Sequence, residues 1–172
     1  MKRLFLTDSL FLPIDKAQVT EMAEQPPGMS LKAIGIVRND VKQPVRHGWS
    51  EVVSDIVIDS RLAEALDGLD EFSHIIVLYW MHQLTPGRKL PLKVHPMGKP
   101  ALPLVGRFAT RSPSRPNPVG QATVRLLERR GNILRVKGLD AIDGTPVIDI
   151  KPYIPGYDSA TGTRVPKWTT EH

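Results

Sequence analysis

The sequence predicts a mainly β domain, a barrel or a sandwich with few short helices, and three observations carry that expectation. Runs rich in Val and Ile recur at short intervals, at residues 31–38, 51–58, 75–81, 119–128, 133–138 and 147–150, as in antiparallel β proteins. The segments between them are mostly turn-forming, with Gly and Pro in place of long amphipathic helices. No Gly-x-Gly occurs and there is no P-loop, which removes the fingerprints of nucleotide-binding α/β folds.

A chain of 172 residues fits one domain with tails. Residues 1–29 read as an extension, 30–153 as the β domain and 154–172 as a tail. In the extension Asp15 can cap a helix over Lys16 to Glu24, with Gln18 at the box position and Ile14 and Val19 spaced as a hydrophobic staple. Pro26-Pro27-Gly28 ends it. The apolar triplets before residue 13 are interrupted by Thr7-Asp8-Ser9, too broken for a signal peptide or a membrane span, so a soluble cytoplasmic protein is expected. With no cysteine, disulfides, thiolate catalysis and Cys-type zinc sites are excluded.

In order, strands at Leu31–Arg38 and Glu51–Ile58 flank a polar loop, Val41–Gly48, that carries Pro44, Arg46 and His47. Asp59 or Ser60 starts the best internal helix, with Leu62, Ala65, Leu66 and Leu69 on one side and Gly68 near its end. Ile75–Met81 is a continuous apolar run, as in a strand buried on both faces, and His82-Gln83 lie at its end. Residues 84–104 hold five prolines and two glycines and form a long loop with one short strand around Leu92 to His95. After Gly106 a short strand leads into the stiff loop Phe108–Gly120, where Pro113, Pro116 and Pro118 forbid a helix or a central strand. Val119–Glu128 and Ile133–Gly138 make a hairpin turned at Arg129–Asn132. Asp143-Gly144-Thr145-Pro146 is a tight turn before the last strand, Val147–Ile150.

Charge is unevenly placed. Lys and Arg exceed Asp and Glu by 23 − 18 = 5, yet from Ser73 to Leu127 there is no acidic residue, while Arg88, Lys89, Lys93, Lys99, Arg107, Arg111, Arg115 and Arg125 fall inside. Such a segment attracts polyanions, nucleic acid above all, or is a solvated basic face without a partner. Within it, Arg111, Arg115 and Asn117 on a proline-stiffened backbone suit an anion or a purine edge, although a proline-rich loop also simply turns a corner. His74 reads as a hydrogen-bonded structural histidine. His82 and His95 lack metal-ligand spacing, so no metal is expected. Tyr79 and Trp80 alternate across a strand and at least one belongs to the core. Asp149 and Lys151 form a simple ion pair.

Four blocks then point to a family: Ile34-Gly35-Ile36-Val37-Arg38; Gly68-Leu69 with Phe72-Ser73-His74-Ile75; Phe108-Ala109-Thr110-Arg111-Ser112-Pro113 through Arg115-Pro116-Asn117-Pro118-Val119-Gly120; and Asp143-Gly144-Thr145-Pro146-Val147 through Asp149-Ile150-Lys151-Pro152-Tyr153. In this order the chain resembles the YaeB/TsaA-like family over about Leu31 to Tyr153. The family includes S-adenosylmethionine-dependent methyltransferases that act on tRNA N6-threonylcarbamoyladenosine beside the anticodon. The resemblance implies a compact β-barrel-like domain, a homodimer, S-adenosyl-L-methionine as cofactor and tRNA as partner. By motif it implies cofactor contacts at Arg46, His47, His82, Gln83, Arg111, Gln121, Asp143, Gly144 and Thr145, and substrate contacts at Arg115 and Asn117. Ser114 stands where the family often has His, and Gly120-Gln121-Ala122 where it has Gly-Leu-Ser or Gly-Met-Ser. Longer bacterial members carry a further C-terminal domain, whereas 19 residues follow Tyr153 here.

Methyl transfer from a sulfonium needs alignment and exclusion of water more than it needs a metal or a nucleophilic side chain. Arg111 or backbone N–H groups suit the cofactor's carboxylate, and Asp143 or Gln83 its diol or amine. Arg115 or His82 suits lowering the pKa of a urea-type acceptor nitrogen. Two other readings stay open: a non-catalytic barrel that binds S-adenosylmethionine or RNA, and a methyltransferase with a different substrate.

Overall fold

The computed structural model describes residues 30–45, 47–84 and 90–170. The helix expected over Lys16 to Glu24 lies outside them, as does Arg46. The eight strands described are β1 (Gly35–Arg38), β2 (Val53–Ile58), β3 (His74–Trp80), β4 (Lys93–Val94), β5 (Val105–Gly106), β6 (Val119–Arg130), β7 (Ile133–Lys137) and β8 (Pro146–Pro152). Six of them close into a barrel in the order β1-β2-β7-β6-β3-β8, while β4 and β5 pair with each other. Every barrel pairing is antiparallel. Closure satisfies both edges of each strand, so the wall needs no covering helices.

Period-two patterning sets the inner face. On β6, Gly120, Ala122, Val124 and Leu126 are buried while Gln121, Thr123, Arg125 and Leu127 are exposed. Val37, Ile56, Ile75, Val77, Leu134, Val136 and Val147 are fully buried and make the core. The apolar run of β3 is explained by its second face, where Ile76 is buried and Leu78 and Trp80 are half-buried. Tyr79 is the aromatic that enters the core. Extra residues are accommodated by register shifts at Leu127 in β6, opposite β7, and at Ile148 in β8, opposite Leu78 and Tyr79 of β3.

Four local expectations change. The short strand expected after Gly106 is instead a 3-10 turn over Arg107–Ala109, and the strand β5 lies before it at Val105–Gly106. The helix after Asp59 is a 3-10 segment over Ser60–Leu66, followed by a separate 3-10 turn at Leu69–Glu71. Asp59 does cap it, accepting from the Arg61 N–H at 3.0 Å. Of the apolar side chains meant to anchor an α-helix there, Leu66 alone is buried and Leu62 and Ala65 are exposed, too little to offset helix nucleation in seven residues. The hairpin turn is shorter than the four residues expected: β6 runs to Arg130, β7 starts at Ile133, and Gly131 takes the positive φ of 59° that this two-residue connection requires. His74 meets Ser73 Oγ through Nδ1 at 2.9 Å, as expected of a hydrogen-bonded histidine, but at the exposed start of β3. Asp149 and Lys151 do pair, at 2.6 Å.

Candidate functional site

The site grows out of one end of the barrel. β3 ends where β6 begins, with Trp80 opposite Val119, and Tyr79 has Gly120 on one side and Val147 of β8 on the other. The segments that leave these strands therefore converge: residues 81–84, the loop 107–118, and 140–145. The Met81 N–H donates to Pro118 O at 2.8 Å and joins the first two. Between these segments and Pro44, Val45 and Trp49 lies an open cleft of about 630 Å³.

The loop is held by its own arginines. Arg107, which is 5% exposed, donates from Nε and Nη2 to Pro91 O at 2.9 and 2.5 Å and from Nη1 to Ser114 O. It ties the segment before β4 to the proline loop. Arg115 Nη1 donates to Thr110 O at 2.8 Å, and its guanidinium lies 5.5 Å from the centre of the exposed Phe108 ring. Arg111 Nη2 donates to Gln121 O at 2.7 Å. All three cations are bound by carbonyl oxygens and make no ion pair among the described residues, so none of their charge is neutralised there.

Tyr79 and Gly120 form the floor. A Cβ on Gly120 would lie 2.3 Å from the Tyr79 ring, so only glycine lets the ring cross here. The Tyr79 hydroxyl donates to Asp140 Oδ1 at 2.6 Å. Burial first, and then the bond to Asp140, pushes the phenol's pKa well up, so it remains a neutral donor.

Of the residues expected at a site, the structure brings His82, Gln83, Arg111, Arg115, Gln121 and Thr145 together around the cleft. His47 and Asn117 are exposed and do not line it. The Asp143 carboxylate also stands off the wall, accepting from the Asn39 N–H at 3.2 Å and pairing with Lys42 at 3.0 Å. The hydrogen bond from Lys42, then that from Asn39, holds its pKa below the usual 3.8. Gly144 carries a positive φ of 79°, and a Cβ there would sit 4.0 Å from His82 Nε2. Asp140 and Arg107 are additions to the site. Neither lies at an unusual position of a motif, and only the fold brings Asp140 to Tyr79 across 61 residues.

The family model described as tRNA-methyltransferase O N-terminal domain matches residues 38–159. A probable S-adenosyl-L-methionine-binding protein of Methanothermobacter thermautotrophicus is 47% identical over 133 residues, covering 75% of this chain and 93% of that protein. The tRNA (adenine(37)-N6)-methyltransferase of Escherichia coli is 36% identical over 137 residues, covering 73% of this chain and 58% of that enzyme. The crystal structure of TrmO from Pseudomonas aeruginosa superposes with a TM-score of 0.64 at 30% identity, covering 80% of this chain and 62% of that one. The chain thus spans nearly all of the first protein and about three fifths of the other two.

Proposed function

The chain belongs to the tRNA-methyltransferase O N-terminal domain family, and on that premise we propose that it is an S-adenosylmethionine-dependent tRNA methyltransferase whose cofactor occupies the cleft at the end of the barrel. The observation that carries this reading is the convergence of Arg111, Arg115, His82, Gln83, Gln121 and Thr145 on one cleft whose cations have no carboxylate partner among the described residues. Its volume falls in the range of small-molecule sites, about 300–1,000 Å³. The donor set fits the cofactor: guanidinium groups for a carboxylate, apolar Met81, Val119 and Trp49 for a flat base, and one acidic wall residue for the cationic part.

Bound there, S-adenosylmethionine would supply a sulfonium-borne methyl group to an acceptor nitrogen held in line with it. Arg111, held by Gln121 O, anchors the carboxylate end. Arg115, braced by Thr110 O and Phe108, faces the acceptor with a charge that lowers the pKa of a urea-type nitrogen. The proline-stiffened loop keeps both arginines in place, which is the alignment such a displacement needs. The finer substrate in this proposal is threonylcarbamoyladenosine beside the anticodon, whose carboxylate suits Arg115. Action in the cytoplasm and assembly as a homodimer belong to the same reading and rest on the resemblance.

The test is mass spectrometry of tRNA nucleosides from a strain lacking the protein, with and without the gene restored. Loss of the N6-methylated threonylcarbamoyl nucleoside and its return are expected. An unchanged nucleoside profile rejects the substrate, and absence of S-adenosylmethionine binding by the purified chain rejects the methyltransferase.

A further inference from the structure

β6 starts at the cleft, with Val119 and Gly120 in its lining, and carries a second set of side chains on the outside of the barrel: Gln121, Thr123 and Arg125, all exposed. Arg111 is tied to the first of them, its Nη2 donating to Gln121 O at 2.7 Å. From there the strand turns one side chain outward every two residues, about 6.6 Å apart, which sets Arg125 about 20 Å along the strand from Val119. None of these side chains is acidic.

Arg125 stands between two other basic groups. Register places His74 of β3 opposite it on one side and Lys137 of β7 on the other. All three point outward, because their neighbours Ile75, Val124, Leu126 and Val136 face the core, and they form a row across three adjacent strands. Like charges directly opposite one another on a sheet are destabilising, and elsewhere on the wall a carboxylate answers each of them, as Asp55 answers Arg135 at 2.9 Å. In this row Glu51 meets Lys137 at 2.8 Å, while Arg125 makes no side-chain hydrogen bond and no ion pair among the described residues. His74 Nδ1 meets Ser73 Oγ at 2.9 Å and the Tyr153 ring packs edge-on against the imidazole, which leaves Nε2 without a partner among the described residues. An exposed guanidinium fork beside an imidazole and an ammonium fits a phosphate, whose oxygens accept from all three. A single phosphate would engage only the row. A sugar–phosphate backbone also uses Gln121 and Thr123, since amide and hydroxyl side chains hydrogen-bond phosphate and sugar, and these two fill the path from the row to the cleft.

We propose that the outward face of β6, with His74 and Lys137 flanking Arg125, is a track for the phosphate backbone of the RNA whose base enters the cleft. The inference rests on the tRNA methyltransferase reading above and adds to it a contact surface on the barrel wall, away from the cofactor. The track fixes where the RNA lies and not which base is chosen, because phosphates are alike at every position of the sequence.

Binding of unfractionated tRNA to the full chain, titrated at several salt concentrations, tests it, with S-adenosylmethionine affinity measured alongside by calorimetry. Arg125→Gln should weaken tRNA binding by about fivefold near ~0.1 M salt and lower the slope of log affinity against log salt by about one, with S-adenosylmethionine affinity unchanged. Arg125→Lys keeps the charge and should restore the slope. Arg61→Gln removes an exposed cation already paired with Asp59 and should change neither affinity. If Arg125→Gln leaves tRNA affinity and slope as they are, the track is not the contact surface, and the methyltransferase reading stands. Equal losses in Arg125→Gln and Arg61→Gln would mean that tRNA answers to net charge alone, and a loss accompanied by a changed oligomeric state on sedimentation would make the row an interface between copies of the chain; each overturns the proposal. If the unaltered chain binds no tRNA, the tRNA reading fails first and this inference falls with it.

Discussion

The barrel wall and the proline loop treat positive charge in opposite ways. On the wall, cations meet carboxylates: Arg135 with Asp55 at 2.9 Å, Lys137 with Glu51 at 2.8 Å, Arg129 with Asp67 at 2.7 Å. In the acid-free stretch, Arg107, Arg111 and Arg115 are bound by carbonyl oxygens alone. A carbonyl fixes a guanidinium in space and leaves its charge uncancelled, whereas a carboxylate does both at once. Those wall cations are thereby neutralised, whereas the loop presents ordered positive charge to whatever enters the cleft. The absence of acids from Ser73 to Leu127 is the sequence expression of that division.

The largest break in this comparison is expected at Gly120, where wall and loop join. Gly120→Val would drive a side chain into the Tyr79 ring, 2.3 Å from where a Cβ would stand, displacing both the core and the Asp140 anchor. A loss of about 3 kcal/mol in urea unfolding is expected, of the size of severe overpacking. Thr123→Val, on the exposed face of the same strand, should change stability by less than about 0.5 kcal/mol. Similar losses at the two positions would deny that the Tyr79–Gly120 contact is special.

These particulars show what was readable beforehand. The strands were legible because a buried wall imposes alternation: Ala122, Val124 and Leu126 against Gln121, Thr123 and Arg125. The 3-10 segment at Ser60–Leu66 was not, because its apolar spacing fits an α-helix and only tertiary packing leaves Leu62 and Ala65 in solvent. The loop's own residues were legible from the prolines and arginines. Asp140 was not, since its partner Tyr79 is 61 residues away and a single aspartate between Leu139 and Ala141 has no local signature. Ser114 and Gln121, where the chain departs from the family pattern, each lend a backbone carbonyl, to Arg107 and Arg111 respectively. A change of side chain there leaves those two hydrogen bonds available.

A smaller effect on stability, but a sharper one on function, is expected from Arg107. Arg107→Met keeps the apolar stem and removes the guanidinium, leaving Pro91 O and Ser114 O without this donor. About 2 kcal/mol of stability should be lost, as for a buried polar group deprived of its partner. Because the loop that carries Arg111 and Arg115 loosens, S-adenosylmethionine affinity measured by titration should fall as well. Arg135→Met on the wall should leave that affinity unchanged. If Arg107→Met lowers stability and spares affinity, the loop is not what orders the cleft.

The least disruptive test uses acid, because carboxylates titrate in the accessible range and carbonyl oxygens do not. The hydrogen bonds from Arg61 hold Asp59 at about 2, below its usual 3.8. A carboxyl group whose folded pKa is depressed contributes its stabilisation fully above the unfolded value and loses it as pH falls through the folded one. The Asp59–Arg61 contact should therefore persist on acidification through 3.8 and give way only towards about 2. The change should be small, since Arg61 is 85% exposed and such pairs are screened by water and salt. Followed by nuclear magnetic resonance, the Arg61 Nε–H signal should move in that window, whereas the Arg107 Nε–H, bonded to Pro91 O, should hold its position for as long as the barrel stays folded. Parallel movement of the two signals would mean that Arg107 is answered by a titrating group after all, and the contrast between a neutralised wall and a charged loop would lose its basis.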